Sequence, residues 1–290
     1  MSDPTSDNPN RKPQSTSSED KRDGRSKSAP RGHKPRSFPR HKRPEDPNAP
    51  QVIYGLHSVE AALRNPRRHI LSFRATQNAA NRLRERFDVL PLEPEIVPVK
   101  TIAHRLDGDP VHQGALLEVK PLETDDDLSP LYGHKLILAL DHITDPHNVG
   151  AILRTAVAFG AGGVIVTSRH SPQQTGVLAK AASGALEMLN LVSVTNLTTA
   201  IEALSKAGFT SIALDSEGPA PLEETPLGDQ TLLVLGAEGK GVRFGVRGAC
   251  NTLARIDLPG QITSLNVSNA AALALYVASR HQQRTSLTRA

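Results

Sequence analysis

From Lys135 onward the chain alternates between two hydrophobic patterns. Short, nearly continuous apolar runs fall at Lys135 to Leu140, Gly163 to Thr167, Leu189 to Val194, Thr210 to Leu214, Thr231 to Leu235 and Arg255 to Leu258. Each has strand length and stops at turn residues. Between them, apolar positions recur at helical spacing over Asn148 to Phe159, Gly176 to Glu187, Leu197 to Lys206 and Val267 to Arg280. Strands that are apolar throughout need helices on both sheet faces, so the pattern predicts an α/β, doubly wound parallel sheet. A ligand of such a sheet lies beyond the carboxyl ends of its strands.

An earlier stretch of about seventy residues also reads as α/β. Strands are expected at Val52 to Gly55, Ile70 to Thr76, Ile96 to Val99 and Ala115 to Val119, with helices at His57 to Leu63 and Ala79 to Phe87. Leu83 and Phe87 should face inward. His112-Gln113-Gly114 precedes the last of these strands, and a loop histidine there is read as structural. Pro121 to Pro130 is polar, holds Asp125-Asp126-Asp127 and has the composition of a linker. The expected organisation is a tail at 1–50, a small α/β domain at 51–120, a linker at 121–130 and a larger domain at 131–290.

Composition changes this picture chiefly at the N-terminus. Residues 1–50 hold 12 Lys/Arg against 7 Asp/Glu and almost no apolar residues. Their net charge of +5, within a chain total of +4, leaves −1 for the other 240 residues. Such a segment buries too little surface to offset ordering entropy and is expected to be disordered. Eight Lys/Arg and no acid between Arg25 and Arg43 suit a polyanion, most simply RNA, although a solubilising tail has the same composition. The chain has a single cysteine, Cys250, which excludes an intramolecular disulfide and a cysteine-based metal cluster. The histidines have no ligand spacing, so no metal is expected. Neither a membrane span nor a signal peptide is expected, and the cytoplasm is the default compartment.

Three loops carry candidate chemistry. Asp141-His142-Ile143-Thr144-Asp145-Pro146-His147-Asn148-Val149-Gly150 leads into the helix bearing Arg154, six residues beyond Asn148 and more than one turn in. Leu235-Gly236-Ala237-Glu238-Gly239-Lys240-Gly241 follows a buried strand, and its glycines let backbone approach a ligand. Ile256 to Asn269 reads as a strand, a Pro-Gly turn and a polar cluster, Ser264 and Asn266, suited to cap the last helix. The glycine loop is not a Walker loop, and the first βα turn lacks GxGxxG.

Taken together and in order, these stretches resemble the three motifs of the SpoU/TrmH family of the SPOUT superfamily. In the sequence they stand as Asp-x-x-x-Asp-Pro-x-Asn-x-Gly-Ala-x-x-Arg-Thr-Ala, Leu-Gly-x-Glu-Gly-x-Gly and Ser-Leu-Asn-Val-Ser. Tyr54 to Leu63 and His112-Gln113-Gly114 are similar to the L30e-like RNA-substrate-binding domain found in members that methylate 23S rRNA. The resemblance implies an RNA 2′-O-ribose methyltransferase that uses S-adenosylmethionine and works as a homodimer. It also implies a trefoil knot, which ordinary topology rules disfavour. Main-chain groups at Gly236, Ile256 and Leu265 would hold the cofactor. The catalytic positions would be Asn148, Arg154, Glu238, Ser264 and Asn266. Asp257-Leu258 departs from the Pro-Met of many relatives, inside the cofactor loop. The implied substrate is a guanosine of 23S rRNA. A tRNA ribose or a resistance-type rRNA site, or a non-catalytic ribosome-assembly role, remain open alternatives.

Overall fold

The computed structural model describes residues 49–289 apart from 107, 109 and 170–174. The basic segment 1–50 therefore lies, save its last two residues, outside the described residues. The first sheet is built from β1 (Gln51–Tyr54), α1 (Leu56–Arg64), β2 (Ile70–Ala75), α2 (Gln77–Arg84), β3 (Glu95–Ile96), α3 (Val99–Ala103) and β4 (Ala115–Val119). Its strand order is β1-β4-β2-β3, with β4 antiparallel to both β1 and β2, and β3 parallel to β2.

Two expectations for this sheet are corrected. α2 ends at Arg84, so Phe87 lies beyond it in a turn, partly buried, with the Arg64 guanidinium 4.2 Å from its ring centroid. The strand expected over Ile96 to Val99 stops at Ile96 because Pro98, which has no N–H to pair, starts α3 instead. The His112-Gln113-Gly114 turn has a local purpose. α1 has no side-chain cap of its own, and Gln113 Oε1 accepts from Leu56 N at 3.0 Å in its place. Gly114 N donates to His112 Nδ1 at 3.0 Å.

The second sheet comprises β5 (Leu136–Asp141), α4 (Pro146–Ala158), β6 (Gly163–Thr167), α5 (Gly176–Ala182), β7 (Asn190–Val194), α6 (Leu197–Lys206), β8 (Phe209–Leu214), β9 (Ala220–Pro221), β10 (Gln230–Gly236), α7 (Phe244–Ala249), β11 (Thr252–Arg255) and α8 (Val267–Arg289). The order is β7-β6-β5-β10-β8-β11-β9 and every pairing is parallel. Side chains alternate across it. Leu136, Leu138, Leu140, Val164, Val166, Leu233 and Leu235 pack with Val149, Ile152 and Leu153 of α4 and with Ala271, Ala274 and Leu275 of α8. Ile137, Ala139, Ile165, Leu232 and Val234 pack on the other face with Leu197, Ile201 and Leu204 of α6 and Val246 of α7. Both faces are thus dry, which is why these strands read as unbroken apolar runs.

The helix expected over Gly176 to Glu187 is interrupted. α5 stops at Ala182, Ser183 and Gly184 take left-handed backbone (φ 50° and 92°), and a 3-10 turn spans Ala185–Glu187. The break turns Glu187 toward the first sheet, where Arg68 Nε donates to its Oε2 at 3.1 Å and Asn65 Nδ2 donates to the same oxygen at 2.8 Å. The Arg68 and Glu187 side chains are 1% and 3% exposed. α5 lies so close to β1 that a Cβ on Gly176 would stand 2.4 Å from the Val52 carbonyl oxygen. The connecting stretch after β4 also docks, with Ser193 N donating to Asp125 O at 2.8 Å beside β7. Among the described residues, no helix is long and apolar enough to cross a membrane.

Further corrections concern the last strands. β9 and α7 went unread, because a two-residue strand and a six-residue helix give no periodic signal. β11 spans Thr252–Arg255, so the run ending at Leu258 is mostly the loop after the strand.

Candidate active site

Three loops converge at the carboxyl ends of β5, β10 and β11. β5 ends on Asp141, a fully buried carboxylate. A buried charge must be paired, and Arg243 supplies the partner. Arg243 N donates to Asp141 Oδ2 at 2.9 Å and Arg243 Nε donates to Oδ1 at 2.7 Å. In register beside Asp141 is Gly236, the last residue of β10. A Cβ at Gly236 would meet Gly241 C at 2.0 Å and Val242 N at 2.2 Å, so only glycine lets the loop fold back onto the strand end. Gly241 N donates to Ala237 O at 2.8 Å and closes the loop. The loop is thus pinned at its base by backbone and at its exit by an ion pair to a buried carboxylate.

That loop carries Glu238. Its Oε1 accepts from Asn266 Nδ2 at 2.7 Å, from Asn148 Nδ2 at 3.2 Å and from Val267 N at 3.2 Å. Asn266 Nδ2 also donates to Asn148 Oδ1 at 3.0 Å, which closes a triangle. Each corner is placed by local chemistry. Asn148 stands in the first turn of α4, which begins with Pro146 and is capped by Asp145 accepting from His147 N at 3.1 Å. Asn266 caps α8, its Oδ1 accepting from Ser268 N at 2.9 Å. The Glu238 carboxylate therefore meets the positive end of the α8 dipole. Its other oxygen, Oε2, takes no hydrogen bond among the described residues.

The structure brings together Asn148, Glu238 and Asn266. It does not bring Arg154 or Ser264 into their hydrogen-bond network. Arg154 is exposed on α4, about 9 Å along the axis from Asn148, and makes no hydrogen bond or ion pair among the described residues. Ser264 is exposed in the stretch before α8. From Ile256 to Leu265 no backbone group bonds another backbone group among the described residues, so this loop presents free main-chain donors and acceptors. Asp257 is tied back to the strand end, Arg255 Nε donating to its Oδ1 at 2.6 Å, while Arg255 Nη1 holds the carbonyls of Gly218 and Pro219.

Arg243 is the residue that sequence reasoning missed. The signal was available in Asp141, a lone acid closing an entirely apolar strand, which demands a cation somewhere. Cys250, at the end of α7, is not part of the chemistry. Burial, followed by the nearby Asp141 charge, pushes its thiol up to about 12.

Comparison with known proteins covers both sheets. Residues 135–276 match the SpoU rRNA Methylase family, and residues 52–125 match the RNA 2′-O ribose methyltransferase substrate-binding family. The 23S rRNA (guanosine-2′-O-)-methyltransferase RlmB of Pseudomonas aeruginosa is 38% identical over 251 residues, 82% of this chain and 98% of its own length. The protein of that name from Pseudomonas syringae pv. tomato is 35% identical over 80% of this chain and 96% of its own. Among solved structures, the SpoU methyltransferase AviRb from Streptomyces viridochromogenes, in complex with AdoMet, superposes with a TM-score of 0.66. It is 22% identical, over 80% of this chain and 90% of that one. The AdoMet-bound rRNA methyltransferase from Sinorhizobium meliloti gives 0.64 at 23% identity, over 80% and 87%. These two likenesses concern the fold. Near-complete coverage of relatives above 30% identity, in both halves of the chain, makes this protein a member of the SpoU rRNA methylase family.

Proposed function

We propose that the protein transfers a methyl group from S-adenosylmethionine to the ribose 2′-hydroxyl of a guanosine in 23S rRNA. The observation that carries this reading is the Asn148–Glu238–Asn266 triangle beside a loop of unbonded main chain. The cofactor fits what stands there. An adenosine-containing ligand without a metal suits main-chain donors and acceptors, which Gly236 at the end of β10, and Ile256 and Leu265 between β11 and α8, would offer. When bound, it supplies an electrophilic methyl group on a sulfonium.

The chain's own residues then position and stabilise. In-line displacement draws much of its acceleration from placement, because bound reactants pay no translational entropy at the moment of attack. Three donors fix Glu238 Oε1, so Oε2 is directed outward and accepts from a substrate hydroxyl or amino group. Asn148 and Asn266 hold the carboxylate and each other rather than moving protons. Arg154, uncommitted and exposed, takes the RNA phosphate and stabilises charge developing on the attacking oxygen. It is a poor base in isolation, since its guanidinium stays protonated. Ser264, exposed in the stretch before α8, would fix a hydroxyl or cofactor group.

We propose further that two copies associate through α8, where Leu273 and Tyr276 are 45% and 52% exposed and Tyr276 meets Phe159 edge-on at 6.0 Å. A C-terminal path threaded as a trefoil knot accompanies this arrangement, β11 lying beyond β8 from β10 and α8 returning onto α4 and β10. A ribosomal RNA substrate places the protein in the cytoplasm. The deciding experiment is methyl transfer from labelled S-adenosylmethionine to purified 23S rRNA and to bulk tRNA, with the 2′-O position mapped. One labelled guanosine in 23S rRNA is the expected result. Label in tRNA moves the substrate, and no label on either returns the protein to an assembly role.

A further inference from the structure

Phe244 is 91% exposed, the most exposed large hydrophobic side chain among the described residues. The chain has only six Phe and three Tyr. Phe73, Phe209 and Tyr54 are buried, Phe87 and Phe159 pack on the core, and Tyr276 leans on Phe159. Phe244 has no such cover. It is also not on a loose tip. Arg243, its neighbour, is fixed through backbone and side chain to the buried Asp141, and Val242 is buried on the other side. The ring is therefore presented from a rigid base.

Its position relates it to the candidate active site. Val242 N lies against Gly236, and each residue step spans 3.8 Å, so the Cα atoms of Glu238 and Phe244 stand within about 20 Å of each other. Two cations stand close to Phe244 in sequence. Lys240 is exposed in the same loop, and Arg243 turns only Nε and Nη2 to Asp141 while its side chain stays 49% exposed. An exposed aromatic ring flanked by cations matches single-stranded RNA, whose splayed bases stack on aromatic faces and whose phosphates seek Lys and Arg.

We propose that Phe244 stacks on an unpaired nucleobase of the RNA substrate near the methylated nucleotide, with Lys240 and the outward edge of Arg243 against the adjoining phosphates. The proposal rests on the methyl-transfer reading above and names a residue that positions the RNA. Its test is steady-state methyl transfer by the full chain on transcribed 23S rRNA, comparing Phe244→Ala, Phe244→Leu and Phe244→Trp. Loss of one stacked base raises KM for RNA by about five- to a hundredfold in the Ala and Leu variants. KM for S-adenosylmethionine, the melting temperature and the molar mass by light scattering stay at wild-type values. The Trp variant keeps the wild-type KM, because stacking needs a ring and not merely an apolar group. An unchanged KM in Phe244→Ala, rescue by Leu, or a change in molar mass that accounts for the loss would each overturn it, the last by assigning the ring to a second copy. If wild-type protein labels no RNA, the methyl-transfer reading fails and takes this one with it. If wild type is active and Phe244→Ala is indifferent, stacking alone is wrong.

Discussion

Glu238 Oε1 gathers three donors from two other segments, and this convergence separates the effects of neighbouring substitutions. Arg154→Ala removes a charge that holds nothing else among the described residues. Turnover should fall on the order of 10²- to 10³-fold, the scale for losing one stabiliser of developing negative charge, with an unchanged melting temperature. Single-turnover methyl transfer beside a thermal unfolding curve checks this, and an equal loss of stability would refute the assigned role. Glu238→Ala acts differently. It leaves Val267 N and Asn148 Nδ2 without their acceptor and takes from Asn266 Nδ2 one of its two, so it should lower both turnover and the order of the α8 entry, seen as faster amide exchange at Val267. Cys250 offers a control at the same scale. With its thiol pushed up to about 12 by burial, and next by the Asp141 charge, it should resist iodoacetamide at pH 8 in the native protein and react once unfolded. Rapid native alkylation would contradict the burial. At this scale Asn148, Glu238 and Asn266 were legible as motif positions. Their mutual bonds were not, since Asn148 and Asn266 are 118 residues apart.

Elements were most legible where both sheet faces are covered. β4, β6 and α6 fall where the apolar pattern predicts them, because continuous burial and helical spacing are strong local signals. The pattern failed where tertiary demands overrode it. The break after α5 places Glu187 on Arg68, and no local preference in Ala181-Ala182-Ser183-Gly184 announces that partner. Breaking this pair should be expensive. Arg68→Ala or Glu187→Ala leaves one buried charge unpaired and should cost about 3–5 kcal/mol in chemical denaturation. The double change Arg68→Met with Glu187→Leu should recover much of that loss, since desolvation of both charges is then relieved. A double variant as unstable as either single one would mean that packing around α5, rather than charge, sets the cost.

For the whole molecule, the proposal is that the basic arm adds to RNA binding separately from the two sheets. Deleting residues 1–48 removes twelve Lys/Arg and seven of the chain's acids. RNA affinity should weaken, and the slope of log affinity against log salt should flatten by up to about 6 if the eight cations from Arg25 to Arg43 each meet a phosphate of a single strand. An unchanged slope would leave the arm as a solubilising tail. The sequence by itself determined the alternation of dry strands and helices, the order of the three motif loops and the charge asymmetry, because each of these is a local property of spacing or composition. Only the tertiary structure decided that Asp141 is paired by Arg243, that Gln113 caps α1, that Glu187 turns to Arg68 and that Phe244 stands uncovered. Those outcomes depend on which surfaces meet when the parallel sheet closes. Partners more than a hundred residues apart leave no mark on the periodicity of either segment.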